Sequence, residues 1–363
     1  MKADARAFDA WYADDGPESD VALSTRVRLA RNLAGFLFPA PIKSDDAERV
    51  LSLAFDAINR QEGADSFQTV RMSQLDGTGK RILSERGVIE SGTGSEPWRG
   101  IAIRNDGVLS MTVNMEDHVR LAAFAPGLSV HDTYRRVAEL DAALQGSLQF
   151  SALPGMGYLT SSLSSLGSGM RISVIMCLPA VTMSSLMERV VREYLAQGFM
   201  IRGYYGGEGG SSLGSLFQLS NGNASGGDER AQLAAMEQAA GKLVELERKS
   251  LVELASSSAT TLEDTVFRAL VTAKYARFIT LKEAIDLIHR IKLGLRLDLI
   301  TGIGHSDLTA LLYRVQAAHI GFVISGGSVI IESDVTSEEL RMDRLRAMVI
   351  QEVLKEADIR ERR

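Results

Sequence analysis

Cysteine is almost absent from this 363-residue chain, with Cys177 the only one. A single thiol cannot close an intrachain disulfide, and no zinc-type Cys/His spacing occurs. The fold must therefore rest on its hydrophobic core, and a reducing cytoplasm is the expected compartment. A positive balance is absent too. The formal net charge of −6 argues against nucleic acid or an anionic membrane surface as the main partner, though it leaves room for a local basic pocket. No run of about 18 apolar residues occurs, so no membrane-spanning helix is expected. The opening residues, Met1-Lys-Ala-Asp-Ala-Arg-Ala7, contain no apolar h-region, so no secretory signal is expected. Internal repeats and a complete G-x-G-x-x-G are missing. Gly77-Thr-Gly-Lys80 is not a phosphate loop, because Gln74 stands where the first glycine is needed and Arg81 where Ser or Thr is needed. What remains is an ordinary globular composition, 45% hydrophobic and 24% charged, long enough for a large core and two domains.

Along the chain, residues 1–19 are polar and are expected to be partly ordered at most. The segment from Asp20 to Asn32 carries Arg26 and Arg28 among apolar neighbours. On a strand these two point to one face, and two adjacent guanidinium forks suit a polyphosphate. Residues 44–62 read as an amphipathic helix with Ser44 as N-cap. Asn105-Asp-Gly107 is a hairpin turn between strands 101–104 and 108–113. Asn114-Met-Glu-Asp-His-Val-Arg120 follows, and a helix starting there would put Glu116 and Arg120 one turn apart. Such a pair could be a base and a phosphate clamp, or a plain surface ion pair worth a few tenths of a kcal/mol.

Residues 130–147 read as a helix. Leu159-Thr-Ser-Ser-Leu-Ser-Ser-Leu-Gly-Ser-Gly-Met-Arg171 is then a polar loop feeding an apolar strand, 171–178. Its backbone N–H groups, hydroxyls and arginine are the groups an anion site needs, although an ordinary surface loop has the same composition. A helix over 184–196 is followed by a glycine-rich loop around Arg202 and Glu208, one that could close over a ligand. A strand resumes at 216–219, and a long helix spans 228–254. The composition shifts at 255–260, which marks a domain boundary. Beyond it the chain reads as helical, with capping boxes at Thr280/Glu283 and Thr336/Glu339 and wide apolar faces that a dimer could cover.

Taken together these segments resemble the phosphagen (guanidino) kinase superfamily. Ser24-Thr-Arg-Val-Arg28 looks like its first arginine motif, and Asn114-Met-Glu-Asp-His-Val-Arg120 is similar to its Asn-Glu-Glu-Asp-His-x-Arg motif. Gly167-Ser-Gly-Met-Arg171 matches Gly-Thr-Gly-x-Arg, and Arg202-Gly203 with the Glu208 loop matches its mobile glutamate loop. Within the superfamily the chain looks most like the bacterial protein arginine kinases (McsB). The first arginine motif begins near residue 24, where small-guanidine kinases carry a whole helical domain ahead of it. Arg28-Leu-Ala-Arg-Asn32 and Phe36-Leu-Phe-Pro39 resemble the protein-kinase branch as well.

The resemblance implies an α+β fold. A phosphagen-kinase-like catalytic domain, a central antiparallel sheet flanked by helices, would occupy residues 20–255 after an N-terminal segment 1–19. A helical dimerisation and regulatory domain would occupy 256–363. It implies transfer of the ATP γ-phosphoryl group to arginine side chains of proteins, with Mg²⁺. Glu116, Glu208 and Ser162 would be catalytic. Ser24, Thr25, Arg26, Val27, Arg28, Arg120, Arg171, Ile172, Ser173, Val174, Ile175, Arg202, Gly203, Tyr204, Tyr205, Gly206 and Gly207 would hold ATP, with backbone contacts from 171–175 and 202–208. Asp343 and Arg346 would belong to a phosphoarginine-reading site. Expected partners are protein substrates with exposed arginines, a second copy of the chain, an activator protein, and protease or chaperone machinery of protein quality control; nucleic acid and membrane are not expected.

The chain departs from the family pattern at four places. Met115 replaces the first motif glutamate, Ser162 replaces a cysteine, the glutamate loop has one extra glycine, and Met342 replaces the first arginine of Arg-Asp-x-x-Arg-Ala. Two alternatives stay open on these grounds: a catalytically impaired adaptor that binds ATP or phosphoarginine, and a kinase for a free guanidino metabolite.

Overall fold

The computed structural model describes residues 10–205, 212–224, 228–326 and 329–360. Its centre is an eight-stranded, all-antiparallel sheet. The strands in chain order are β1 (Ala22–Arg31), β2 (Phe67–Arg71), β3 (Gly100–Arg104), β4 (Leu109–Val113), β5 (Val119–Pro126), β8 (Met170–Cys177), β9 (Phe199–Gly203) and β10 (Leu216–Asn221). Two-residue strands β6 (Ala152–Leu153) and β7 (Gly157–Tyr158) form a separate small hairpin. The spatial order of the sheet is β2-β3-β4-β5-β1-β8-β10-β9, so β1 lies in the middle.

Period-two alternation decides what each face of the sheet carries. Val27 and Leu29 of β1, Leu121 and Ala123 of β5, Ile172 and Val174 of β8 and Leu219 of β10 point to one face and are buried. Helices α1 (Ser44–Asn59), α3 (Val130–Gln145), α5 (Met187–Ala196) and α6 (Glu229–Ser257) cover that face with Leu51, Leu140, Val190 and Met236 in a single core. Gly100 of β3 permits the close approach of α1, since a Cβ there would meet the Phe55 ring at 2.5 Å and Leu51 at 2.6 Å. The opposite face carries the arginines.

A second core lies among α7 (Ala259–Tyr275), α8 (Leu281–Arg296), α9 (His305–Arg314), α10 (Ala317–Ser325) and α11 (Glu338–Val353). It is continuous with the sheet end through Leu23, Cys177, Ala180 of the short α4 (Pro179–Met183), and Leu216. A two-strand pairing of β11 (Ile300–Thr301) with β12 (Asp358–Ile359) closes the chain. Glu247 of α6 joins the parts. Fully buried, it accepts from Ala180 N at 3.0 Å, Val181 N at 2.9 Å and Arg296 Nη1 at 2.8 Å. Among the described residues no single helix is long and apolar enough to cross a membrane.

The structure corrects several expectations. Trp11 and Tyr12 are buried, with Trp11 stacked on Phe124 and Tyr12 on Tyr313, so part of the N-terminal segment belongs to the fold. Aromatic area outweighs the polar sequence around it. Lys43, not Ser44, caps α1, and no side chain serves it. Gly77–Glu85 is a helix (α2) capped by Asp76, whose side chain accepts from Gly79 N. Thr280 caps α8 as expected, by accepting from Glu283 N, whereas α11 is capped by Ser337 through Leu340 N, one residue after Thr336. Residues 114–118 form a bend and not a helix, and Arg120 lies on β5.

Candidate active site

Strand register assembles the site. Arg28 of β1 stands directly opposite Arg171 of β8, and Arg26 stands opposite Ser173. Ala30 faces Arg120 of β5 across the other edge of β1. Arg202 of β9 faces Gln218 of β10, which in turn faces Ile175 of β8. Directly opposed residues share a face, so five arginines from four strands lie on the side of the sheet opposite the core. Arg28, Arg120, Arg171 and Arg202 line a cavity of about 270 Å³ together with Glu90, Glu116, Ser162, Ser164, Ser165 and Gln218.

The local folding of the bend explains how the acids reach it. Asn114 sits in the left-handed region (φ 55°) and donates through Nδ2 to Ala47 O at 2.8 Å and Trp98 O at 2.7 Å. Asp117 accepts from Asn32 Nδ2 at 2.8 Å and Ser161 N at 2.7 Å. His118 Nδ1 accepts from Leu33 N at 3.0 Å, so its Nε2 carries the proton donated to Leu37 O at 2.9 Å. Burial pushes the His118 pKa down, which keeps the ring neutral. Three motif residues thus lock the bend, and Glu116 is left at the cavity. Met115 packs on the apolar cluster of Met72, Ile89 and Ile101.

The Ser-rich loop enters β8 through Gly169, where φ is +67° and a Cβ would sit 2.5 Å from Ala30 O, so only glycine fits. Arg31 fixes this loop. Its Nη1 donates to Ser168 O at 3.0 Å, its Nε and Nη2 bind Asp141 at 3.0 and 2.9 Å, and Tyr158 lies 3.6 Å beneath it. Ser162 Oγ lies 2.8 Å from Ser164 Oγ at the cavity wall.

The electrostatics favour an anion. Arg28 is pushed well below its ordinary value, first by the charge of Arg26, then by burial and by Arg120 and Arg171. Burial lowers Arg26 and Arg171, with neighbouring arginines adding to it. Arg120 is neutralised by Glu90, 2.9 Å from its Nη1, and by Glu116 on its Nη2. Arg26 donates to Gly87 O at 3.0 Å and Ser173 Oγ at 3.3 Å. Arg28, Arg171 and Arg202 have no hydrogen-bond or ion-pair partner among the described residues. Converging guanidinium groups that outnumber the two carboxylates beside them favour a multiply charged anion such as a polyphosphate.

Some expected site residues lie elsewhere. Thr25 and Val27 point to the core face, where Thr25 Oγ1 donates to Gly127 O at 2.7 Å. Ile172 and Val174 are core residues too. The backbone of 173–175 is laddered on both sides, to β1 and to β10, so it has no free groups for a nucleotide. Ser24 is buried and bonds Tyr313. Gly203 ends β9, and Tyr204 and Tyr205 pack their rings against each other and the second core. Gly206, Gly207 and Glu208 lie outside the described residues. In the helical part, where the separate phosphoarginine-reading site is expected, Arg346 donates through Nε to Val315 O and through Nη1 to Ile279 O, both at 2.9 Å, with Asp343 beside it. Glu90 was missed by sequence reasoning. It lies in a loop with no periodicity, and the one available signal was an acid in a Gly/Ser-rich stretch, Glu90-Ser-Gly-Thr-Gly94.

Comparison with known proteins identifies the family. The family model described as ATP:guanido phosphotransferase, C-terminal catalytic domain, matches residues 49–250, and the one described as Protein-arginine kinase McsB C-terminal domain matches 259–363. The chain therefore belongs to the ATP:guanido phosphotransferase family, a family of phosphotransferase enzymes. Its branch is that of the protein-arginine kinases. It is 31% identical to the Protein-arginine kinase of Geobacillus thermodenitrificans over 94% of each chain, and 32% identical to that of Geobacillus stearothermophilus over 94% of each. Identity to that of Bacillus subtilis is 29%, over 93% of this chain and 94% of the relative. The fold is shared with solved structures. Lombricine kinase aligns with a TM-score of 0.56 at 20% identity, covering 66% of this chain and 71% of that one. The duplicated taurocyamine kinase from Schistosoma mansoni aligns with a TM-score of 0.57 at 22% identity, covering 73% and 38%.

Proposed function

We propose that this chain is a protein arginine kinase, moving the γ-phosphoryl group of ATP onto arginine side chains of proteins. The observation that carries the proposal is the cavity: four arginines line it beside the carboxylate of Glu116, three of them without hydrogen-bond or ion-pair partners among the described residues, and Arg26 lies on the same sheet face. Phosphoryl transfer depends mainly on positioning and on neutralising charge. Arg26, Arg28, Arg120, Arg171 and Arg202 would hold the phosphates. A guanidinium is a weak nucleophile because its charge is delocalised. Glu116, assisted by Glu208, would orient it and take one of its protons as the N–P bond forms and the bond from the γ-phosphorus to the ADP oxygen breaks. Ser162 would hydrogen-bond the acceptor.

Among the described residues no three acids, histidines or cysteines converge as a metal cage. Mg²⁺ prefers phosphate oxygens and water with one or two carboxylates, and Glu90 and Glu116 stand at the cavity. Arriving with ATP, it would supply further neutralisation of phosphate charge.

The domain division is part of the same proposal: a catalytic part to residue 255 and a helical part from 256, supported by the helix break at Ser258 (φ −142°, ψ 33°) and by the second core. A second copy of the chain is proposed to cover the helical part, where Val271, Tyr275 and Phe322 are 50%, 74% and 58% exposed. Activator and quality-control partners are proposed on the family likeness alone. A cytoplasmic setting suits Cys177, whose thiol burial pushes up to about 11 and so makes inert. A phosphoarginine-reading role for Asp343 and Arg346 draws no support from their placement, since Arg346 is buried and bonded to main-chain carbonyls.

The test is direct. Incubated with ATP, Mg²⁺ and an arginine-rich protein, the chain should form acid-labile phosphoarginine detectable by mass spectrometry, and Glu116→Gln should abolish it while ATP affinity stays nearly unchanged. Nucleotide binding without phosphoarginine would favour the adaptor alternative. Product on free arginine alone would favour a small-metabolite kinase.

A further inference from the structure

The cavity contains a second carboxylate that no recognised motif accounts for. Glu90 stands in the loop between α2 and β3, 71% exposed at its side chain, and binds Arg120 Nη1 at 2.9 Å. Glu116 binds the other terminal nitrogen, Nη2. The Arg120 guanidinium is therefore clasped by two carboxylates, one on each side of the fork. Burial pushes the Glu90 pKa up, but the hydrogen bond from Arg120 and the charges of Arg120, Arg28 and Arg26 outweigh it and hold the carboxylate ionised.

Met115 stands where the family motif has a glutamate. It stands next to Glu116 but packs on Ile89, Met72 and Ile101, so it offers the cavity no acid. Ile89 is the neighbour of Glu90. The same short segment that packs its isoleucine with Met115 presents a glutamate to the cavity, and the site keeps two acids despite the methionine.

We propose that Glu90 binds the acceptor: with Glu116 it clasps the substrate guanidinium, and ATP makes the clasp available by drawing Arg120 onto its phosphates. The identity of the acceptor rests on the protein arginine kinase proposal above. Arg120 is the guanidinium in the clasp, and it is the partner of both carboxylates. Arg28, Arg171 and Arg202 line the same cavity and would gather the phosphates there. Phosphate charge competes with both glutamates for the N–H groups of Arg120. Once it turns, two carboxylates 71% and 47% exposed at their side chains are left facing the cavity, and an arginine side chain matches them in charge and in fork geometry. Nucleotide and acceptor therefore bind with positive coupling, and by linkage the coupling is reciprocal.

Calorimetry on the full chain tests this with an arginine-containing peptide, with and without a non-hydrolysable ATP analogue and Mg²⁺. The wild type should bind the peptide about tenfold more tightly with the analogue. Glu90→Gln should lose about tenfold in peptide affinity in its presence, the size expected for one charge-assisted hydrogen bond. The same variant should raise the acceptor KM while leaving the ATP KM equal or lower, and Glu90→Asp should recover part of the loss. A Glu90→Gln variant with wild-type peptide affinity overturns the assignment, as does peptide affinity indifferent to the analogue. Peptide binding that depends on Glu90 without any phosphoarginine formed would refute the kinase proposal and leave the clasp standing. Phosphoarginine formed with an unchanged acceptor KM in Glu90→Gln would do the reverse.

Discussion

Arg28→Met should make the nucleotide-free protein more stable and the nucleotide-bound protein less stable than wild type. Methionine keeps most of the stem and removes the charge. Arg28 faces Arg171 across an antiparallel pair, with Arg26 on the same strand and Arg120 on the next. Cα atoms so paired are about 5 Å apart, and two guanidinium charges roughly 7 Å apart repel by about 2 kcal/mol at an effective dielectric near 20. Three such neighbours act on Arg28, and Glu90 offsets part of the sum. Relief on the order of 1–2 kcal/mol in the empty protein follows. In the complex Arg28 would give two charge-assisted hydrogen bonds of about 1.5–3 kcal/mol each, so their loss should weaken ATP by roughly 10²–10⁴-fold. Urea unfolding with and without ATP and Mg²⁺ reads both effects. At ATP about 100-fold above its Kd the wild type gains about 2.7 kcal/mol that the variant lacks, so the two should exchange rank. A variant destabilised without nucleotide, or one that gains as much from ATP as wild type, would refute the account of the arginines as an uncompensated anion site.

Two further outcomes concern the scaffold. Glu247→Ala leaves Arg296 buried and unpaired and strips two N–H groups of α4 of their acceptor; it should cost about 3–5 kcal/mol in urea unfolding. The acid and alkaline limbs of stability should be traceable to a buried pair. His305 is pushed down to about 4 by burial and then by Lys292, so the unfolded chain binds a proton that the folded one refuses, and stability falls as pH drops from about 6.5 to 4. Burial lowers Lys292 to about 8, so by the same sign stability rises from pH 8 to about 10.5. Urea midpoints against pH should flatten over the first window in His305→Asn and over the second in Lys292→Met.

The arginines could be read from the sequence because charged residues inside apolar strands violate the expected pattern. Arg26 and Arg28 do so two residues apart, Arg171 does so at the head of an apolar run, and the strand alternation that betrays them also aims them. The hairpin at Asn105–Gly107, with Gly107 at φ +70°, was equally plain, because that dipeptide chemistry has few other uses. The bend at 114–118 was not. A helix would satisfy the same spacing of Glu116 and Arg120, and what selects the bend is tertiary: Asn32, Ala47, Trp98 and Leu33 reach it from distant parts of the chain. Trp11 and Tyr12 escaped notice for the same reason, as their partners Phe124 and Tyr313 lie in remote elements. Glu90 has no periodicity around it and becomes visible only when the α2–β3 loop is folded over the arginines.

The alternation in β1 also governs how this site can change. Odd positions Thr25, Val27 and Leu29 hold the core, and even positions Arg26 and Arg28 hold the charge. Each side can be rewritten residue by residue without disturbing the other. A one-residue insertion or deletion within the strand would exchange the two sets, driving guanidinium groups into the core under α3 and leucine into the cavity. Evolution of the site is thereby restricted to substitution within β1. Tolerated changes of length belong to the loops around it, among them the glycine-rich stretch that follows β9.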